Sequence, residues 1–225
     1  NYSNGRPVSN YYSGYLGTQT IRTAIEKSMN IIAVKCLTEI TPQLGYDYLL
    51  NFGFTTLVEN RTYADGSTKS DIGQPLALGG LTDGVKNIEL TAAYATIANG
   101  GVYEKPVFYT KIVDHDGNVL MDNTKTKTHT VLKESTAFLL TSAMQDVVKN
   151  GTGKIVNFDT MSIAGKTGTT SQTYDVWFAG FTPYYTCSVW GGYDVNTSMY
   201  DASYHKGLWK AVMQRVHENL EYKEF

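Results

Sequence analysis

The hydrophobic period of this chain changes near residue 150. Up to there the apolar residues recur at helical spacing, and beyond it they fall in short alternating runs. A chain that buries helices first and strands later must pack a sheet against helices, so an α+β fold is expected. Thr20 is placed to cap a turn carrying Ile21, Ala24 and Ile25, and a second helix runs through Ile31, Ile32, Val34 and Leu37. Thr41-Pro42 reads as a cap followed by proline at the first helical position, opening a helix with Leu44, Tyr48, Leu49 and Phe52 that Gly53 ends. Residues 55–75 read as a long surface loop, and Ile88 to Ala98 as a strongly amphipathic helix closed by Asn99-Gly100-Gly101. Asp114-His115-Asp116-Gly117 marks a hairpin, and Ala137, Leu140, Met144 and Val147 mark a helix stopped by Gly151-Thr152-Gly153. Three strands are predicted at 162–169, 176–181 and 186–193, the last two joined at Thr182-Pro183-Tyr184. A closing helix over 207–220 carries Leu208, Val212 and Val216 at helical spacing.

Composition narrows the function classes. With 19 basic and 21 acidic residues the net charge is −2, which gives no reason to expect nucleic acid or an anionic membrane surface as partner. No run approaches the roughly 18 apolar residues of a membrane span, and the polar opening Asn1-Tyr2-Ser3 does not read as a signal peptide. The chain is expected to be cut from something longer. Cys36 and Cys187 do not make a disulfide framework and are read as buried small hydrophobes. His115, His129, His205 and His217 match no metal-ligand spacing, so neither metal nor cofactor is expected.

Two segments carry chemistry. The first is Ala164-Gly165-Lys166-Thr167-Gly168-Thr169-Thr170. A phosphate-binding loop would need glycine where Thr160 stands and a helix start after Lys166, where Gly168-Thr169-Thr170-Ser171 is a poor one. A strand edge fits better, with Ser162, Ala164, Lys166 and Gly168 on one face and room for a ligand beside the lysine. A plain turn with a solvated lysine is the third reading. The second segment is Ser28-Met29-Asn30 at a helix junction, where a hydroxyl and an amide can reach one cleft or simply cap helix ends.

Together these two segments match the later pieces of a known three-piece set, Ser-x-x-Lys, Ser-x-Asn and Lys-Thr-Gly. Around them Tyr2, Thr18 to Ser28, Ala77-Leu78-Gly79, Thr91-Ala92-Ala93-Tyr94-Ala95, Ala98-Asn99-Gly100-Gly101, Gly151-Thr152-Gly153 and Asp175-Val176-Trp177-Phe178-Ala179-Gly180 recur in order. From Asn1 to about Tyr193 the chain resembles the transpeptidase domain of class A (bifunctional) penicillin-binding proteins.

The resemblance implies a penicillin-recognising fold (β-lactamase/DD-peptidase-like), with an antiparallel sheet packed with helices. It also implies acyl transfer on peptidoglycan stem peptides ending in D-Ala-D-Ala, and β-lactams as trapping ligands. Carried over, Ser28 shuttles a proton towards the leaving amine and Asn30 hydrogen-bonds the substrate amide. Lys166 supports the electrostatics around Ser28 and the substrate carboxylate, and Thr167 binds that carboxylate. Thr169, after Gly168, offers an oxyanion amide.

The nucleophile motif is missing from the 27 residues before Ser28. The one formal match, Ser203-Tyr204-His205-Lys206, follows Lys166 and breaks the family order, so it reads as an exposed loop. The chain is therefore expected to be one partial domain, 1–225, incomplete at its N-terminal side, with a mainly helical part at 1–150 and sheet strands plus a closing helix at 151–225. It is expected to be inactive alone and covered by the missing N-terminal segment or another copy. Its parent would be anchored at the extracytoplasmic face of a bacterial membrane. A non-catalytic sensor or scaffold that binds cell-wall peptide or β-lactam is the alternative, and a hydrolytic β-lactamase is a minor one for which no deacylating glutamate can be assigned.

Overall fold

The computed structural model describes residues 1–225. Helix α1 (Ile21–Glu26) is capped as expected, the Thr20 hydroxyl accepting from the Thr23 amide at 3.1 Å. Helix α2 (Asn30–Ile40) follows after a sharp bend, and α3 (Pro42–Asn51) starts at the predicted proline, with Thr41 Oγ1 accepting from the Leu44 amide at 3.3 Å. The face α3 buries is centred on Tyr46, while Leu44 and Tyr48 are exposed.

The 55–75 stretch is more ordered than a loop. It holds the short hairpin β1 (Arg61–Thr62) and β2 (Thr68–Lys69), turned at Gly66 with φ +80°, and leads into a 3-10 turn, Gln74–Leu78. Its hub is Asp71, only 2% exposed. The carboxylate accepts from the amides of Val58 (2.8 Å) and Thr82 (2.7 Å) and from the Thr82 hydroxyl (2.7 Å). A buried carboxylate is tolerated because donors replace its water.

Helix α4 (Asn87–Ala98) is present, yet it is not strongly amphipathic: Ala92, Ala93 and Thr96 are buried and most other positions are half-buried. The reason is that several neighbours surround it, including β3 (Val102–Glu104), which pairs with β6 (Thr128–Thr130). Between these lies the predicted hairpin, β4 (Lys111–Val113) and β5 (Val119–Asp122), with Gly117 at φ +85°. Both of its strands are exposed throughout.

Helix α5 (Glu134–Lys149) buries Ala137, Met144 and Val147 from the expected stripe. The sheet that follows is antiparallel in the order β7 (Ala164–Thr169), β8 (Asp175–Phe181), β9 (Thr186–Gly192). Helices α4 and α5 cover the face bearing Ala164 and Phe181, which pack on Met144. Helix α6 (Tyr204–Val216) covers the other face, where Phe178, Trp209 and Met213 meet Val148, Val156, Phe158, Met161 and Ile163. Each fully buried side chain of this size contributes about 1.5–3 kcal/mol.

The cross-strand pair Gly165↔Gly180 makes this possible. A Cβ at either position would come within 2.6–2.7 Å of the Phe178 ring, so the bare backbone is the bed on which that ring lies.

Helix α6 corrects the expected stripe. Leu208, Val212 and Val216 are exposed, and the buried face is His205, Trp209 and Met213, one residue around the helix. Trp209 Nε1 donates to the Cys187 carbonyl at 2.9 Å. His217 is buried, with Nδ1 2.6 Å from the Met213 carbonyl and Nε2 2.8 Å from the Thr182 hydroxyl. Both cysteines are free and only half-buried, so neither is the fully buried hydrophobe expected. No helix is long and apolar enough to cross a membrane.

Candidate active site

The bend between α1 and α2 presents Ser28. Its amide bonds to the Ile25 carbonyl and that of Met29 to the Ala24 carbonyl, so the last turn of α1 is closed before α2 begins. Met29, 4% exposed, anchors the junction in the core. Ser28 itself sits at φ +51°, the left-handed region that costs a non-glycine residue about 1 kcal/mol or more. A serine held there by its surroundings is an outlier that points to chemistry.

Facing it, β7 forms one edge of the sheet. Thr170 N bonds to the Asp175 carbonyl at 3.0 Å, which sets the alternation of the β7–β8 ladder. Residues 164, 166 and 168 bond to β8, so the amides of Thr167 and Thr169 point away from it, off the open edge. Those are unspent backbone donors beside the lysine. Gly168 keeps the strand slim: a Cβ there would meet Trp177 at 3.2 Å.

Lys166 closes the geometry. Its Nζ lies 2.7 Å from Ser28 Oγ, joining residues 138 apart in sequence, and 3.1 Å from the Thr167 carbonyl. Burial pushes its pKa down to about 8. It takes part in none of the ion pairs of the molecule, so the cleft has a desolvated cation without a counter-charge. Such a group favours an anionic ligand and exchanges a proton readily near neutral pH. Thr167 Oγ1 is 2.7 Å from Thr152 Oγ1.

Two cavities meet along Lys166–Thr169. One, of about 420 Å³, runs between α1 and α2 and is lined by Ile21, Ile25, Ser28, Met29, Asn30, Ile32, Cys36 and Leu78. The other, of about 520 Å³, runs under α4 and is lined by Leu78, Asn87, Leu90, Tyr94, Trp177 and Trp190.

Asn30 lines the first cavity; one N–H of its Nδ2 donates to the Ser9 carbonyl at 2.9 Å, which leaves the other N–H and the acceptor Oδ1. Ser203 lies elsewhere, at the start of α6; its hydroxyl donates to Asp201 at 2.7 Å and not to the Lys206 side chain, and its carbonyl accepts from the Lys206 amide at 3.1 Å as part of the helix start. The residue that sequence reasoning passed over is Thr152. In the sequence the triplet Gly151-Thr152-Gly153 reads as a helix stop and as one of the segments of the family resemblance, and neither reading gives Thr152 a place in the site.

Lys166 on the cationic β7 edge and Ser28 at the helix junction thus flank one cleft. The chain belongs to the penicillin-binding protein transpeptidase family: residues 1–214 match the model of the penicillin binding protein transpeptidase domain. It is 36% identical over 229 residues to penicillin-binding protein 1A of Clostridium botulinum (strain Langeland), covering 99% of this chain and 26% of that protein. It is 35% identical over 211 residues to penicillin-binding protein 4 of Bacillus subtilis, covering 92% of this chain and 32% of that one. The chain thus spans about a quarter to a third of the length of these relatives. Among solved structures, the penicillin-binding protein PonA1 from Mycobacterium tuberculosis superposes with a TM-score of 0.79 at 24% identity, covering 97% of this chain and 61% of that one. PonA1 in complex with penicillin V gives 0.79 at 23%, with the same coverage. The fold is that of penicillin-binding transpeptidases, mixed helix and antiparallel sheet.

Proposed function

We propose that this chain is part of a serine-type D,D-transpeptidase that cross-links peptidoglycan and is acylated by β-lactams. The observation that carries the reading is the 2.7 Å contact of Lys166 Nζ with Ser28 Oγ across the cleft. The nucleophile comes from a Ser-x-x-Lys segment outside these residues, seated in the apolar groove between α1, α2 and β7. Its hydroxyl, giving its proton to the lysine of the same segment, attacks the penultimate D-Ala carbonyl. Thr167 holds the terminal carboxylate, assisted by the positive charge of Lys166. Asn30 Oδ1 accepts from a substrate amide, and the Thr169 amide, off the β7 edge, donates to the developing oxyanion. Ser28, bonded to Lys166, passes the proton to the departing amine, so D-Ala leaves and an acyl-enzyme forms. The amine of a neighbouring stem peptide then takes the acyl group. The parent works at the extracytoplasmic face of a bacterial membrane, with residues 1–225 as one portion of its transpeptidase domain.

Labelling with a fluorescent penicillin tests this. The longer protein that contains the Ser-x-x-Lys segment is labelled in a denaturation-resistant way, Ser28→Ala and Lys166→Ala slow labelling at least tenfold, and the 225-residue chain alone is not labelled. An adduct mapped within the isolated chain overturns the assignment of the nucleophile; unimpaired labelling in both variants overturns the site.

A further inference from the structure

The Gly151-Thr152-Gly153 turn is wedged where three elements meet. A Cβ on Gly151 would stand 2.3 Å from the Glu26 carbonyl oxygen at the end of α1 and 2.9 Å from Val147 Cα in α5. One on Gly153 would stand 3.2 Å from the Val147 carbonyl and 3.3 Å from the Phe178 ring. The amides of both glycines bond back to the end of α5, on the Asp146 and Val147 carbonyls. Thr152 is therefore fixed on both sides by backbone, two elements at once, and its hydroxyl lies 2.7 Å from that of Thr167. It has no other hydrogen-bond partner, while Thr167 lines both cavities of the cleft.

A pair of hydroxyls can share one hydrogen bond in two senses. If Thr167 donates, its only proton is spent and the oxygen facing the cleft repels an anion. If Thr152 donates, the Thr167 proton is free for the ligand, and the two bonds reinforce each other in line. We infer that Thr152 is a positioning residue that turns the Thr167 hydroxyl into a committed donor, so that the cleft selects ligands bearing a terminal carboxylate over their neutral amides. The inference rests on the proposed role of Thr167 in the transpeptidase site and adds what sets its direction.

The test uses the longer protein that contains the Ser-x-x-Lys segment and its Thr152→Val and Thr152→Ser variants. Two peptides ending in D-Ala-D-Ala, one as free acid and one as carboxamide, are titrated by NMR. In parallel, side-chain couplings report the rotamer of Thr167 without ligand. The valine variant is expected to bind the acid about five- to tenfold more weakly, the loss of the neutral Thr152–Thr167 hydrogen bond that commits the Thr167 proton to the ligand, with the amide unchanged. Its Thr167 averages between rotamers. The serine variant restores both readouts to within about twofold, which a merely structural role of the threonine methyl does not give. Retained acid-over-amide preference in the valine variant, with Thr167 still in one rotamer, overturns the inference. If the unsubstituted longer protein prefers neither peptide, the transpeptidase reading falls, and an unchanged Thr167 rotamer in the valine variant then brings down the positioning role separately.

Discussion

Lys166 stores a measurable proton-linked free energy. Its ammonium is carried into the cleft at the cost of a pKa lowered from 10.5 to about 8, and burial is the cause. At about 1.4 kcal/mol per unit, the folded chain disfavours the proton by roughly 3 kcal/mol relative to the unfolded one. The unfolded state therefore binds the proton more tightly, and stability rises as pH climbs from about 8 towards 10.5. About 2 of those 3 kcal/mol are gained between about pH 7 and pH 9.5. For a chain of this size that is on the order of 5 °C in melting temperature.

Lys166→Met removes the titrating group and keeps most of the side-chain volume. The remaining lysines and tyrosines are common to both proteins, so the difference between their stability curves isolates this residue. Urea unfolding at several pH values in that range is expected to show the original chain gaining about 2 kcal/mol relative to the variant. Parallel curves would refute the reasoning: Lys166 would then be hydrated, and the cleft would have no desolvated cation to attract a carboxylate.

Ser28→Ala and Ser28→Gly both remove the hydroxyl bonded to the buried Lys166, but only glycine also relieves the φ +51° backbone, so in urea unfolding the glycine variant is expected to be about 1 kcal/mol more stable than the alanine variant, while in the longer protein both lose at least tenfold in penicillin acylation; a glycine variant no more stable than the alanine one contradicts the strain argument. His205 is 1% exposed and burial pushes its pKa down to about 4, so the unfolded chain takes up its proton first and stability falls as pH drops from about 6.5 to 4. Thermal melts of His205→Leu should lack about 3 kcal/mol of that loss, and an unchanged acid slope would show the ring to be hydrated. Asp71→Ala strands the buried Val58 and Thr82 amides and is expected to cost about 2–4 kcal/mol, with hydrogen exchange at those two amides accelerating most.

Much of the fold was readable because local chemistry fixed it. Thr20, Thr41-Pro42 and the Asp114–Gly117 turn act on their immediate neighbours, and the structure uses each as a cap or turn. Helix α6 was misread because two stripes compete. Leu208, Val212 and Val216 recur every four residues, and so do His205, Trp209 and Met213. Periodicity cannot choose between adjacent stripes; the volume waiting under β8 and β9 chose Trp209. The Asp71 hub and the β3–β6 pairing escaped notice because their partners come from separate stretches of chain. For the site, neither Ser28 nor Lys166 declared itself by spacing, since 138 residues separate them, and only the family resemblance put them in one cleft. Thr152 was hidden because a helix stop and a buttress look alike in sequence.

The β4–β5 hairpin has a practical use. Every residue of its two strands faces solvent, and its turn at Asp114–Gly117 bonds only within itself and to Asn118. Foreign sequence grafted at Asp116-Gly117, such as an affinity epitope or a fluorophore tag, therefore disturbs neither the sheet nor the groove, and this tip is the natural handle for immobilising or tracking the molecule with its cleft left open.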